Sequence, residues 1–472
     1  MIRQIIYKEV LDNLLSLRFA LSVLLIASLF VVCGYTFVNG YGEQTKDYWK
    51  KTNDNLSSLR EQSDQLFKVA FYKQDIYRKP QTLGLCAEGF EQSLPNFYKV
   101  NAFTADLPAT EGQANFALPH FSNIDWVLII SLILSFTALI LTHDGICGEK
   151  EAGTLRLMLS NTIPRHKVLF GKYTGLMFTL AIPLIIGMLV SLAVVVPSSD
   201  VVVGAGEWLK ILILVVVSLL YLSIFVLLGM FISSRTGHSA NSMAILLLVW
   251  VVSVILLPSF SRIIFDVVYK ESTEQQLQRQ IEETRRQIWD NREKYGKNAG
   301  SMSHNLSSPI NNPPARARLQ NAVMNATNQI LQEHHNKWLE QAFARRNVAC
   351  LSPAVIYQRA CETIAGTGIN RCADLYEQVK RYEADLKEFI RSRDLEDSQS
   401  LHLIAPEYGM ANSWRAISHD PVDFDIVPKF QESPMTLGQS LKLAVWDIGL
   451  LAIFNLIFFS AAFVSLLRYD VR

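Results

Sequence analysis

The chain lacks the phosphate loop with which many proteins hold a nucleotide. No GxxxxGK[ST] phosphate loop occurs in its 472 residues. HExxH, GxSxG and clustered Cys/His ligands are missing too, so no catalytic group and no metal site is expected in the chain itself. Cysteine is scarce. There are six, none in a CxxC pair, which excludes a disulfide-framework miniprotein. An excess of charge is also absent. Lys and Arg number 44 against 43 Asp and Glu, a net charge of +1, so no global electrostatic partner is implied. With no basic aromatic patch, nucleic acid is not an expected partner.

What the chain does have is apolar residues, half of the total, gathered in nearly uncharged blocks. About 20 such residues cross a hydrocarbon core. The blocks predict spans at 19–39, 124–142, 173–196, 208–232, 243–263 and 441–467. Pro183 falls inside the third, where neighbouring helices can satisfy the carbonyl it frees. Residues 1–18 carry Ile2, Ile5, Ile6, Val10, Leu11, Leu14 and Leu15 at helical spacing, with Arg3, Lys8, Glu9 and Asp12 on the other face. That pattern predicts an amphipathic helix lying against membrane lipid before the first span. The expected fold class is an all-α membrane protein with six transmembrane helices.

Basic residues set the orientation. Lys150, Arg156, Arg165, Lys167, Lys172, Arg235, Arg468 and Arg472 follow spans two, four and six. The one short segment on the opposite side, 197–206, has none. The bias puts both termini in the cytoplasm, and 40–122 and 266–438 outside. In the outer segments, Lys46 to Tyr72 is expected to be helical in part. Leu277, Ile281 and Ile288 mark one amphipathic helix, and Val323, Ala326, Ile330, Trp338 and Ala342 a second. Leu375, Val379, Tyr382, Leu386 and Phe389 mark a third, and a shorter helix begins at Pro353. Together they predict a helical extracytoplasmic domain, an antiparallel bundle standing off the membrane. His334 and His335, adjacent on one helix, are expected at its surface.

With this topology Cys86, Cys350, Cys361 and Cys372 face outward, and four cysteines allow three pairings. Cys361 and Cys372 flank the Gly366–Gly368 turn nearly symmetrically, as an antiparallel helical hairpin would need. Cys350 and Cys361 would lie about 16 Å apart along a continuous helix, too far to bridge. The expected pairs are Cys361–Cys372 and Cys86–Cys350, against buried free thiols as the alternative. Two polar residues fall within the sixth span. Asp447 lies near its outer end and Asn455 two turns deeper. Intramembrane carboxylates mark pathways or proton sites, but near the interface Asp447 is better read as a packing or hydrogen-bonding residue.

The stretch between spans two and three, HDGICGEKEAGTLRLMLSNTIPRHKVLFGK (143–172), is the most informative. With Gly148-Glu149-Lys150-Glu151, Gly153-Thr154-Leu155, Arg165 and Gly171-Lys172, it resembles the linker of permease subunits of type-2 ABC exporters. LSPAVIYQRACETIAGTG (351–368) and RYDVR (468–472) look like a subgroup with a large insertion of unknown function between spans five and six. That family usually carries an acidic residue at the position of Gly368. The resemblance implies a bacterial inner-membrane exporter in which two permease subunits, identical or related, pair with each other. Two cytosolic ABC ATPase subunits would bind ATP and Mg, and each would push on a coupling helix within Gly148 to Asn161. On this chain Glu149, Lys150, Glu151 and Arg156 would supply charged contacts to the ATPase, and Leu155 with Leu157 and Leu159 an apolar one. The outer domain would gate the exit or meet a periplasmic protein. The alternative is ATP-driven mechanotransmission to an envelope partner with no cargo crossing.

Overall fold

The computed structural model describes residues 2–89, 94–109, 124–155, 164–198, 201–260, 274–300, 312–406 and 415–468. Six of its helices are long and apolar enough to cross a bilayer: Leu17–Gln62, Trp126–Glu151, Arg165–Val195, Ala205–Arg235, Ser239–Phe260 and Leu437–Leu467. The chain is an all-α multi-pass membrane protein. Its regular strands among the described residues are β1 (Gln74–Tyr77) and β2 (Phe97–Val100), antiparallel with Gln74 opposite Val100.

The N-terminal helix Ile2–Leu14 and the first spanning helix are separated by a local break. Ser16 makes it, its Oγ accepting Phe19 N at 3.2 Å in the N-cap position. The N-terminal helix packs along the start of the third span, where Gly171 and Gly175 sit one turn apart. A Cβ at Gly171 would meet Ile5 at 2.9 Å, and one at Gly175 would meet Glu9 at 2.8 Å. The missing side chains are what let the two backbones approach, as small-xxx-small pairs do in membranes. Pro183 is buried inside the third spanning helix, as its sequence position implied.

The core joins the spans to an element that sequence reading placed elsewhere. The helix Pro353–Ala365 is inserted among them, with Ile356, Tyr357, Ala360, Cys361 and Ile364 buried in the same cluster as Tyr221, Phe225 and Leu451. Its ring partner is Tyr221, 4.5 Å from Tyr357 between centroids, and Ser218 Oγ lies 2.8 Å from the Tyr357 hydroxyl. Two π-helical turns border this insertion, Ile129–Leu134 in the second span and Val251–Leu256 in the fifth. Such turns divert carbonyls from the regular ladder. Here the carbonyl of Ser131 accepts from the Tyr221 hydroxyl at 3.0 Å, and that of Ser253 from Ser352 Oγ at 2.6 Å. The sequence pointed to a bundle outside the membrane because this helix is short and bounded by Pro353 and Gly366. Its apolar stripe of Ile356, Tyr357, Ala360 and Ile364 is what packs among the spans, while Gln358 and Arg359 stay only partly covered.

The two long connecting segments form a joint domain. Leu59, Leu66, Phe67 and Val69 pack against Leu386, Ile390 and Ile417. Ile76, Tyr98 and Val100 cover Leu375, Tyr376, Val379 and Tyr382. A buried ion pair, Arg371 to Glu432 at 2.7 Å, fastens the same region. The expected stripe of the helix Gly368–Asp394 is thus its buried face, except Phe389, which is only partly covered. Leu277, Ile281 and Ile330 pack together between the helices Glu274–Asp290 and Pro313–Val348. His335 corrects the surface assignment. It is 2 % exposed, 3.7 Å from the Tyr376 ring and stacked near Trp338.

The cysteines correct another expectation. All six are free thiols, so neither Cys361–Cys372 nor Cys86–Cys350 is formed. After the left-handed Gly366 the two helices serve different cores. Cys361 is buried among the spans, whereas Cys372 faces the Tyr98 hydroxyl at 4.0 Å. Cys86 lies in the span cluster, and Cys350 beside the Arg359 guanidinium. At Gly368 a larger residue has no room, since its Cβ would meet Glu362 Oε2 at 2.8 Å.

Candidate functional site

The apolar part of the second span ends at Thr142. A turn, His143 to Ile146, leads into the short helix Cys147–Glu151. Its first N–H groups have no intrahelical acceptor. Ser233 Oγ of the fourth span takes two of them, Ile146 N at 3.1 Å and Cys147 N at 2.9 Å. The three charged residues that follow each reach a different element.

Glu149 and Glu9 share one cation. Lys172 Nζ lies 2.9 Å from Glu149 Oε1 and 3.1 Å from Glu9 Oε2, and its side chain is 5 % exposed. Burial raises the Glu9 carboxyl above its ordinary range, and Lys172 opposes that shift. The other oxygen of Glu149, Oε2, is buried with no hydrogen-bond partner among the described residues. Lys150 Nζ donates to the carbonyls of Ser234 and Thr236, orphan acceptors at the end of the helix Ala205–Arg235. Glu151 accepts from Ser239 N at 2.9 Å and from Ser239 Oγ, and approaches His238 Nδ1 at 3.3 Å. A carboxylate at the start of the helix Ser239–Trp250 suits the positive end of its dipole. Arg165, beyond the linker, donates to Leu466 O at 3.3 Å and Leu467 O at 2.5 Å, the last turn of the sixth spanning helix. An exposed pair, Arg18 to Asp144 at 3.2 Å, adds the first span and is worth little by itself.

The short helix is therefore fastened to the N-terminal helix and to spans three, four and five. A rigid-body push on it would be delivered to all of them. The sequence reading aimed Glu149, Lys150 and Glu151 at a partner and Leu155 at its apolar contact. In the structure each of those charges has a partner within the chain, Glu151 while remaining exposed, and Leu155 is buried at 1 % exposure in the span cluster. Gly148 is half-buried. Glu151 and the turn Ala152, Gly153 and Thr154 remain outward, with Gly153 at φ +72°, a conformation open to glycine. Arg156, Leu157 and Leu159 lie outside the described residues.

Glu9, Ser233 and Ser239 were missed from the sequence. The signal for Glu9 was an acidic residue on the polar face of an interfacial helix, with Lys172 opening an apolar run. The two intramembrane candidates are apart from this cluster. Asp447 is buried beside Arg359, whose Nη2 lies 3.2 Å from its Oδ1. Asn455 Nδ2 donates to Leu220 O and Leu451 O, both at 2.9 Å, which ties the sixth span to the fourth.

The model of the family described as ABC-2 family transporter protein matches residues 3–470. Two relatives are similar over part of the chain. A "Probable ABC transporter permease protein NosY" of Pseudomonas aeruginosa is 27% identical over 151 residues, which are 31% of this chain and 54% of the relative. A protein of the same name from Stutzerimonas stutzeri is 31% identical over 101 residues, 21% of this chain and 37% of the relative. The chain thus spans about half or less of the length of each.

Proposed function

The chain belongs to the ABC-2 transporter family, and from that premise we propose that it is the permease subunit of a bacterial inner-membrane exporter driven by a separate ATPase. The reading is carried by one observation, the fastening of the helix Cys147–Glu151 to the N-terminal helix and three spans through Lys172, Lys150 and Glu151. A cytosolic ABC ATPase, present twice, docks on the outward turn at Ala152 to Thr154. Binding of ATP and Mg in those partners moves the turn, and the frame passes the motion to the spans. A second permease subunit, the same chain or a related one, completes the path. Both termini lie in the cytoplasm, and the joint domain of the long segments faces the periplasm.

A second reading has support in the first spanning helix, which runs unbroken from Leu17 to Gln62 into the joint domain. Motion started at the turn then reaches an envelope protein, and no cargo crosses.

Affinity purification from native membranes in mild detergent, with mass spectrometry and an ATPase assay, tests both. Recovery of an ATPase with a phosphate loop, lost in Ala152→Arg but kept in Lys172→Met, supports docking at the turn. Recovery of the intact chain without any ATPase sinks the proposal. ATP-dependent uptake of cargo into inverted vesicles favours export. Its absence, with ATPase activity that answers to a co-purified envelope protein, favours the second reading.

A further inference from the structure

Between the inserted helix, the helix Pro313–Val348 and the sixth span lies a cavity of about 80 Å³, far from the linker frame. A single water needs roughly 10–15 Å³ by the same measure, so the cavity takes a group of phosphate size. It is lined by Arg346, Arg359, Thr363, Asn370, Leu443 and Asp447, among others. Two guanidinium groups and one carboxylate at a lipid-facing wall call for an explanation.

The two arginines are only partly occupied. Glu362, buried, holds Arg346 Nη2 at 2.6 Å and takes Gln358 Nε2 on its other oxygen at 2.8 Å. Among the described residues that leaves Arg346 Nη1 and Nε for a ligand. Arg359 Nη1 is held by Arg346 O at 3.1 Å and Asn347 Oδ1 at 3.0 Å, which fixes the guanidinium in place. Its Nη2 pairs with Asp447 at 3.2 Å, yet Asp447 Oδ1 makes no aligned hydrogen bond. Asp447 is thus buried and ion-paired through one contact with Arg359, with acceptor capacity left for a further donor.

The position adds the source of the ligand. Asp447 is about 15 Å along the helix Leu437–Leu467 from its start, at 1.5 Å per residue. With that 31-residue helix, about 46 Å long, centred on about 30 Å of hydrocarbon, Asp447 lies roughly 7 Å below the headgroup boundary, within reach of the long side chains of Arg346 and Arg359 that join it to that boundary. Leu443 lines the cavity and is 48% exposed, and Val445 and Trp446, at the same level, are 57% and 79% exposed. The wall of the cavity thus opens at the outer surface of the sixth span, where lipid reaches it, beside a tryptophan of the kind found at membrane interfaces, if no second subunit covers this face.

We propose that this cavity binds the headgroup of a phosphoethanolamine lipid, its phosphate on Arg346 and Arg359 and its ammonium on Asp447. A plain anion would meet the Asp447 carboxylate, whereas a zwitterion satisfies both signs and adds no net charge. Guanidinium groups match phosphate oxygens in pairs, and a primary ammonium donates hydrogen bonds that a quaternary one cannot. The bound lipid would hold the inserted helix against the sixth span. The inference rests on the spanning helices and needs neither transport nor an ATPase.

Native mass spectrometry of the full chain from nanodiscs tests it. The discs hold equal phosphatidylethanolamine, phosphatidylcholine and phosphatidylglycerol, and a parallel sample in lipid-free detergent receives inorganic phosphate. Phosphatidylethanolamine should be retained over phosphatidylcholine by at least about tenfold, the ratio one hydrogen bond to a charged group sustains. Leu443→Trp, which narrows the lipid-facing wall and leaves every charge in place, should abolish the preference, and Asp447→Asn should reduce it. Equal retention of the three lipids, or a preference untouched by Leu443→Trp, overturns the proposal. Retention of inorganic phosphate with no preferred lipid assigns the arginines to a free anion and likewise overturns it. None of these outcomes depends on ATPase recovery, so failure here is distinct from failure of the permease reading.

Discussion

Replacing Lys172 by Met removes the one cation shared by Glu9 and Glu149. Both contacts are short, 3.1 and 2.9 Å, and the three side chains are 5%, 16% and 19% exposed. Losing one partner of a buried ion pair costs about 3–5 kcal/mol, because the remaining charge is left uncompensated. Here two carboxylates are left, one of them already carrying an oxygen without a donor. The single variant should therefore lose about 3–5 kcal/mol. The triple variant Lys172→Met, Glu9→Gln, Glu149→Gln should recover more than half of that, since no charge remains buried alone. SDS-titrated unfolding in mixed micelles measures both, with the single Gln variants completing the cycle. A loss below about 1 kcal/mol for Lys172→Met, the value of an exposed surface pair, refutes the view that this cluster fastens the frame. So does a triple variant no more stable than the single one.

Other expectations are independent of the frame. His335 is buried, and burial lowers its imidazole from the ordinary 6.5 to about 4. The unfolded chain takes up a proton below about pH 6.5 while the folded one does not, so stability of the joint domain should fall as pH drops from 6.5 to about 4. His335→Gln should flatten that slope in a pH series of thermal melts. Denaturation with an alkylating agent and no reductant should label all six cysteines, and a peptide pair released only by reduction would contradict the free thiols. Tyr357→Phe removes the 2.8 Å contact with Ser218 and should cost about 0.5–1.5 kcal/mol. Tyr357→Ala also deletes a buried ring, at about 3–5 kcal/mol, and should free the inserted helix to proteolysis; equal protection in both variants would deny the insertion its anchor.

The spans could be read from sequence because apolar length is a one-dimensional property. Pro183 and the Leu375 to Leu386 stripe followed from the same periodicity. The inserted helix Pro353–Ala365 was misplaced because its partners, Ser218, Tyr221 and Ser253, lie about a hundred residues or more upstream, and thirteen residues are too few to span. The linker was found as a motif, but the partners its charges have within the chain were not. Whether Glu149 faces a partner or Lys172 depends on how the turn His143 to Ile146 folds back, and only tertiary packing decides that. His335 fails for a related reason. A helix places adjacent residues on different sides, but which side meets Tyr376 is set by the neighbouring helix.

The unbroken first spanning helix has a mechanical consequence. At about 1.5 Å per residue, its 46 residues exceed the roughly 30 Å of hydrocarbon by some 40 Å. A stiff rod of that reach multiplies small angles, so a tilt of about 5° displaces its far end by about 3 Å. The far end is tethered: Ser63 O accepts Val422 N at 2.9 Å, and Leu66 N donates to Asp420 O at 3.0 Å. A change in span angle too slight to open a path across the bilayer would still drag the 418–422 strap by the length of a hydrogen bond.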